Sequence, residues 1–231
     1  MPKAHCSTLR LTPGHLREEG LPSAEGGTVV LLANLTELAR ELAHLLEVVS
    51  TDELLYAQSL CESVRNQVIC SRALLRFLLG QQLAVDAASL RFACGPHGKP
   101  ELIGHQLAFN TSRSDDTFAV ALASRGQVGV DVEKFRPISG YEEITRGFLR
   151  NEAPIVFSGP EERRHRSFLR IWTCKEAVVK AIGLGLTAPL NGFAVSLDPP
   201  AITPLQPEFN RHWSLETVID GDVVLAAAVA L

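Results

Sequence analysis

Apolar side chains recur at positions 35, 38, 39, 42, 45, 46 and 49, a helical period that predicts an amphipathic helix from Leu35 to Val49. Ser50, with Glu53 three residues on, has the pattern of a capping box and opens a second helix. A third periodic stretch, Arg65 to Leu79, stops at Gly80, which reads as a left-handed cap. A fourth helix runs from Phe168 to Ile182 and ends near Gly183. Between and after these lie short β-branched or alternating runs, read as strands: Thr28 to Leu32, Leu90 to Cys94, Leu107 to Thr111, Phe118 to Ala123, Val128 to Glu133, Phe193 to Leu197, Trp213 to Ile219 and Val223 to Val229. Arg125-Gly126-Gln127 is a turn, and Asp220-Gly221-Asp222 joins the last two strands as a hairpin. Helices followed by strands, twice over, give an α+β class with two halves, 1–124 and 125–231, meeting at a seam near residues 124 to 128. The first twenty-odd residues read as loop or tail.

Composition narrows the class of function. The 231 residues carry 22 Lys plus Arg against 26 Asp plus Glu, a net charge of −4, which excludes a strongly basic nucleic-acid binder. The longest apolar run, Val223 to Leu231, is about half of what a membrane-spanning helix needs. Met1-Pro2-Lys3-Ala4-His5-Cys6 is polar where a signal peptide is apolar, so the expected location is cytoplasmic. The five cysteines have neither disulfide nor zinc spacing and read as small reduced core residues.

Three segments carry candidate chemistry. Asp131 and Glu133 alternate with Val130 and Val132 on a strand, so both carboxylates share one face and both valines the other. Two like charges so placed call for a cation, and hard oxygen donors suit Mg²⁺; two solvated acids at a strand end are the alternative. Trp172, Glu176 and Lys180 lie four apart on the last long helix and share a face, either as a surface ion pair or as a carboxylate and an ammonium that hold metal and phosphate together. Phe109-Asn110-Thr111-Ser112-Arg113-Ser114 leaves a strand for a polar turn with hydroxyl and guanidinium groups suited to phosphate; an ordinary Asn/Ser turn is the alternative. Arg163-Arg164-His165-Arg166 is the densest basic run, either a solvated face or an electrostatic guide for an acidic partner. Trp213 reads as core.

Taken in order, Gly98-Lys99-Pro100, Asn110 to Ser114, Val128-Gly129-Val130-Asp131-Val132-Glu133 and Trp172-Thr173-Cys174-Lys175-Glu176-Ala177 through Lys180 resemble the 4′-phosphopantetheinyl transferases. The likeness is to the long, two-lobed, surfactin-synthetase-activating type, which modifies carrier domains of secondary-metabolite and lipid synthases. The resemblance implies two similar α+β lobes, a pseudo-dimer within one monomeric chain, with the active site in the cleft between them. It implies coenzyme A as co-substrate, Mg²⁺ as cofactor and an acyl or peptidyl carrier protein as partner, with neither nucleic acid nor membrane. A carrier serine attacks the β-phosphorus of coenzyme A, and adenosine 3′,5′-bisphosphate leaves.

By motif match, Asp131, Glu133 and Glu176 ligate the metal, and Asp131, Glu176 and Lys180 form the catalytic group, with Glu176 as candidate base and Lys180 on the pyrophosphate. Lys99 and Pro100 approach the adenine end, Ser112 and Arg113 the phosphates, and Arg72 the 3′-phosphate; Lys175 is placed with the coenzyme A contacts. The family's phosphate turn reads Ser-His-Ser, and here Arg113 takes the middle position. Lysines that some relatives carry upstream of Arg72 are missing between Leu55 and Val64, which leaves Arg65 and Arg72 to serve. Fatty-acid, polyketide and peptide synthase carriers present similar serines, and the chain does not separate them. The competing readings are another Mg²⁺-dependent enzyme acting on a pyrophosphate and a non-catalytic module that binds coenzyme A or a carrier.

Overall fold

The protein is described by a computed structural model covering residues 6–17 and 20–231. In chain order the elements are β1 (Cys6–Arg10), α1 (Pro13–Arg17), β2 (Thr28–Asn34), α2 (Ala39–His44), α3 (Thr51–Gln58), α4 (Glu62–Leu83), β3 (Phe92–Cys94), β4 (Pro100–Leu102), β5 (Ala108–Ser114), β6 (Thr117–Ala123), β7 (Gln127–Lys134), α5 (Tyr141–Phe148), α6 (Ala153–Val156), α7 (Glu161–Ile182), β8 (Phe193–Leu197), β9 (Pro200–Pro204), β10 (Trp213–Asp220) and β11 (Val223–Ala230). One sheet has the order β1-β2-β6-β5, with only β1 and β2 parallel; a second, antiparallel, has the order β10-β11-β7. β3-β4 and β8-β9 are separate hairpins. The α+β expectation holds. No helix among the described residues is long and apolar enough to cross a membrane.

Alternation along the strands explains why β2, β6 and β11 read as unbroken apolar runs. Val29 and Leu31 face Leu74, Leu75 and Leu78 of α4, whereas Val30 and Leu32 face away from it, toward the second sheet. There they meet Val128, Val130 and Val132 of β7 and Leu225, Ala227 and Val229 of β11 in a core shared by both sheets. The outer face of the second sheet packs on Phe168, Ile171, Ala177 and Val178 of α7. Each fully buried Val, Leu or Phe contributes about 1.5–3 kcal/mol, so three stacked cores bind helix, sheet, sheet and helix into one body.

Two local features set the chemistry. Gly129 sits where α7 crosses β7; a Cβ at that position would lie 2.0 Å from the Ala177 carbonyl oxygen and 2.3 Å from the Ala181 nitrogen. Only a residue without a side chain lets the helix come this close. Second, β5 runs alongside β7 and is joined to it by side chains. Asn110 Oδ1 accepts Val130 N–H at 2.9 Å, Ser112 Oγ donates to Asp131 Oδ1 at 2.8 Å, Ser114 Oγ donates to Glu133 Oε2 at 3.0 Å, and Lys134 N–H donates to Ser114 Oγ at 3.2 Å.

Several sequence expectations need correction. Ser112, Arg113 and Ser114 belong to β5 and not to a turn, because every second residue finds its partner on β7. The helix expected over 35–49 is broken. Asn34 Oδ1 accepts the amides of Thr36 and Glu37 and so begins a turn, α2 then spans six residues, and a 3₁₀ turn at Leu46–Val48 follows. Four of the seven apolar positions keep a core role, Leu35, Leu38, Leu42 and Val49 being buried, whereas Ala39 and Leu46 are exposed. α4 runs through Gly80 and ends at Ala84 in the left-handed conformation. Gly80 serves instead for close approach, since a Cβ there would lie 3.1 Å from both the Val85 oxygen and the Ala87 Cβ.

The capping box of α3 is formed: Ser50 Oγ accepts Glu53 N–H at 3.3 Å, and the Glu53 carboxylate accepts Ser50 N–H at 2.9 Å. α7 starts at Glu161, which puts Arg163–Arg166 on its first turns, where the Arg166 guanidinium lies 4.7 Å over the Phe135 ring. The loop expected at the N-terminus is β1 and α1 where described; residues 1–5 and 18–19 lie outside the described residues. Cys61 and Cys94 are exposed, so only Cys174 is the fully buried thiol expected of the set. Trp213 is half-buried against the core between α7 and the second sheet, and its Nε1–H donates to the Phe209 carbonyl at 2.9 Å.

Candidate active site

α7 lies on β7 at Gly129, and its exposed face therefore carries Glu176 and Lys180 over the carboxylates of Asp131 and Glu133. Lys180 Nζ donates to Asp131 Oδ1 at 2.6 Å and to Ser112 Oγ at 2.9 Å. Asp131 is 4% exposed, and its Oδ2 is buried without a hydrogen-bond partner. A buried acceptor left open costs about 1–3 kcal/mol, so this atom is suited to an incoming cation or donor.

The carboxylates sense one another. Burial, then the Asp131 charge, pushes Glu133 above the ordinary range, against the opposing pull of Ser114, Arg136 and Lys180. Burial and again Asp131 push Glu176 up, with Glu133 adding to the shift and Lys180 opposing it. Three acids in one field with one ammonium among them carry surplus negative charge. Oxygen donors of this kind, with Asp131 Oδ2 open, fit a hard cation such as Mg²⁺. As placed, no group of three His, Cys, Asp or Glu side chains among the described residues closes into a metal cage. The donors are assembled but not drawn into a closed ligand set.

Two grooves meet above this cluster. One, of about 340 Å³, is lined by Tyr56, Arg72, Ser112, Arg113 and Lys180; the other, of about 280 Å³, by His97, Lys99, Pro100, Glu176 and Lys180. Thr111 and Lys180 line both, which makes the grooves neighbours. Arg113 Nη1 is buried and has no partner. The fold thus brings Arg72, Pro100, Ser112, Arg113, Asp131, Glu133, Glu176 and Lys180 to one region.

Three residues are placed otherwise than the sequence suggests. Lys175 is fully buried on the far side of α7, where its Nζ meets Glu152 Oε1 at 2.8 Å and the carbonyls of Leu190 and Phe193 at 2.7 Å each. It is a core tie and cannot reach a ligand. Lys99 lines a groove with its carbon chain, but its Nζ donates to Val128 O at 2.9 Å and Ala181 O at 2.7 Å. Arg65 Nη2 donates to the carbonyls of Gln58 and Leu60 and so closes the end of α3 rather than facing Arg72. Sequence reading also missed Asn110 and Ser114 as partners of β7, and Arg136, 3.6 Å from Glu133. Asn110, Ser112 and Ser114 do alternate, but Thr111 and Arg113 between them are polar too, so no apolar face marks the segment as a strand, and Arg136 lies beyond β7.

Comparison with known proteins gives the family. The model of the 4′-phosphopantetheinyl transferase superfamily matches residues 127–228, from the start of β7 almost to the end of β11. The 4′-phosphopantetheinyl transferase HetI of Nostoc sp. is 35% identical over 198 residues, covering 82% of each chain. The chain belongs to the 4′-phosphopantetheinyl transferase family. Sfp of Bacillus subtilis is 30% identical over 133 residues, 57% of this chain and 58% of that one, and AcpT of Salmonella typhi is 40% identical over 91 residues, 38% and 47%. In this transferase the matched span holds Asp131, Glu133, Glu176 and Lys180 together, while Arg72, Ser112 and Arg113 come from the chain before it.

Proposed function

We propose that this transferase moves the 4′-phosphopantetheine arm of coenzyme A to a serine of an acyl or peptidyl carrier protein. The observation that carries the reading is Lys180 held on Asp131 Oδ1, with Oδ2 open, beneath adjoining grooves walled by Arg72, Arg113 and Glu176. Displacement at phosphorus asks mainly for alignment and charge neutralisation. Lys180, Arg113 and Arg72 supply cationic contacts for the pyrophosphate and the 3′-phosphate. Asp131, Glu133 and Glu176 would hold Mg²⁺, which when bound polarises the phosphate oxygens and stabilises the leaving group. Glu176, shifted upward by burial and by Asp131, is suited to accept the proton of the attacking serine. The serine oxygen bonds to the β-phosphorus, the bridging P–O bond breaks, and its electrons leave with adenosine 3′,5′-bisphosphate.

We also read the chain as two similar lobes, 1–124 and 125–231, with the site in the cleft between them. In support, each carries a 22-residue helix packed on its own sheet, and the boundary falls in the bend between β6 and β7. Both lobes contribute site residues within one chain, which favours a monomer. That the five cysteines form no disulfide is in keeping with a reducing cytoplasm. Arg163 and Arg166, exposed on the first turns of α7, are suited to steer an acidic carrier toward the site.

The test is incubation with coenzyme A, Mg²⁺ and a panel of unmodified carrier domains, read by intact mass. One phosphopantetheine should be added to a carrier, and chelating the metal should stop the addition. Binding of coenzyme A with no mass shift on any carrier overturns the reading. Arg113→Ala is expected to raise the KM for coenzyme A about tenfold or more with kcat nearly kept, since a bond to a charged group is lost. An unchanged KM in steady-state kinetics removes Arg113 from the site.

A further inference from the structure

We infer that Lys99 is a positioning residue that pins the loop between β3 and β4 to the last turn of α7 and the start of β7, and thereby sets Lys180 against Asp131. The inference rests on the proposed reaction and concerns the geometry behind it. Lys99 Nζ reaches two backbone carbonyls on different elements, Val128 O at 2.9 Å and Ala181 O at 2.7 Å. Ala181 adjoins Lys180, and Val128 adjoins Gly129, where α7 rests on β7. One ammonium therefore bridges helix and strand at the point where neither has a side chain between them.

The loop has a shaped seat on α7. Gly183 and Gly185, with φ of +79° and +64°, follow the helix. A Cβ on Gly183 would lie 3.3 Å from Lys99 Cδ, and one on Gly185 would lie 3.2 Å from His97 Cβ. Both glycines leave room for the loop to lie flat on the helix end. Ala181 O is also one of the last carbonyls of α7, which lack intrahelical partners and bear partial negative charge. A cation there satisfies the carbonyl and complements the dipole. The two bonds confine the ammonium, and burial lowers Lys99 to about 8 while Glu101 opposes the shift. The neutral amine keeps two N–H donors for the same two carbonyls, so the bridge does not depend on the charge. Sliding of α7 along β7 would carry Lys180 off Asp131 and Glu176 away from the groove; the bridge opposes that slide.

A double-mutant cycle tests this. Lys99→Met is expected to lower kcat about tenfold in the native background, but less than about twofold when combined with Lys180→Ala, because the displaced group is then already missing. Lys99→Arg, whose fork can span two carbonyls, is expected to recover most of the loss. A purely structural role would lower activity by the same factor in both backgrounds, and equal factors overturn the inference. So does a loss confined to KM for coenzyme A, which would make Lys99 a ligand. Should Lys99→Met not fold, Lys99→Gln, with one shorter donor arm, enters the same cycle with the same outcomes. Hydrogen exchange of the amides at 128–131 and 177–183 reads the bridge without any turnover. It should quicken about tenfold in the Met or Gln variant and return in Lys99→Arg; unchanged exchange overturns the inference. If the native protein transfers nothing to any carrier, the proposed reaction falls, and exchange still decides on Lys99.

Discussion

Glu176→Gln is expected to lower kcat for carrier modification by roughly 10²–10⁴-fold, the usual range for a lost proton acceptor, while leaving the protein as stable as before or more so. The rate falls because glutamine neither accepts the serine proton nor offers a charged oxygen to a cation. Stability moves the other way for an electrostatic reason. Burial and Asp131 raise Glu176 in the folded protein above its unfolded value. A raised carboxyl favours the folded state when protonated, and that advantage is lost as pH rises through the folded value. Near neutrality the ionised Glu176 therefore opposes folding, and a neutral amide removes the opposition. Single-turnover rates and thermal midpoints measured on the same samples check both halves. A kcat within a few fold of native would remove Glu176 from proton transfer.

The second large effect is expected at a residue with no chemistry at all. Gly129→Ala places a Cβ at 2.0 Å from the Ala177 carbonyl oxygen and 2.9 Å from the Ala181 Cα, so the helix must lift or the strand must bend. Overpacking of this kind costs about 1–3 kcal/mol and more when backbone is the obstacle, as it is here. The urea midpoint should fall accordingly, and the folded fraction should still show reduced transfer, because lifting α7 carries Glu176 and Lys180 away from Asp131. A native-like midpoint with native activity would mean that the close crossing of helix and strand is unimportant.

The sequence disclosed those parts of the molecule in which a single period dominates. α7 was readable because its apolar and polar faces follow one repeat and Gly183 ends it; β7 was readable because Val130 and Val132 alternate with Asp131 and Glu133. The segment 35–49 was misread because its apolar spacing is right for a helix while Asn34, just outside it, diverts the backbone into a turn. β5 was cut short for a related reason. Asn, Ser and Ser usually mark turns, and only the position of β7 beside them explains why they sit in a strand. Lys175 and Lys99 show the limit for single residues. Both belong to motifs rich in ligand-binding groups, yet both spend their ammonium on backbone carbonyls, Lys175 with Glu152 besides. Helical spacing already sets Lys175 off the face shared by Glu176 and Lys180, whereas nothing in the string marks Lys99.

The joint between β5 and β7 has a consequence for how the molecule responds to what it binds. Neighbouring strands ordinarily exhaust their hydrogen-bonding capacity on each other, leaving nothing to offer a visitor. Here the rungs are hydroxyls and carboxylates, Ser112 to Asp131 and Ser114 to Glu133, which are groups that phosphate oxygens or a cation can also engage. A ligand drawn to these groups would compete with the rungs that join the two sheets, so its affinity and the cohesion of the protein's own middle would be set against each other.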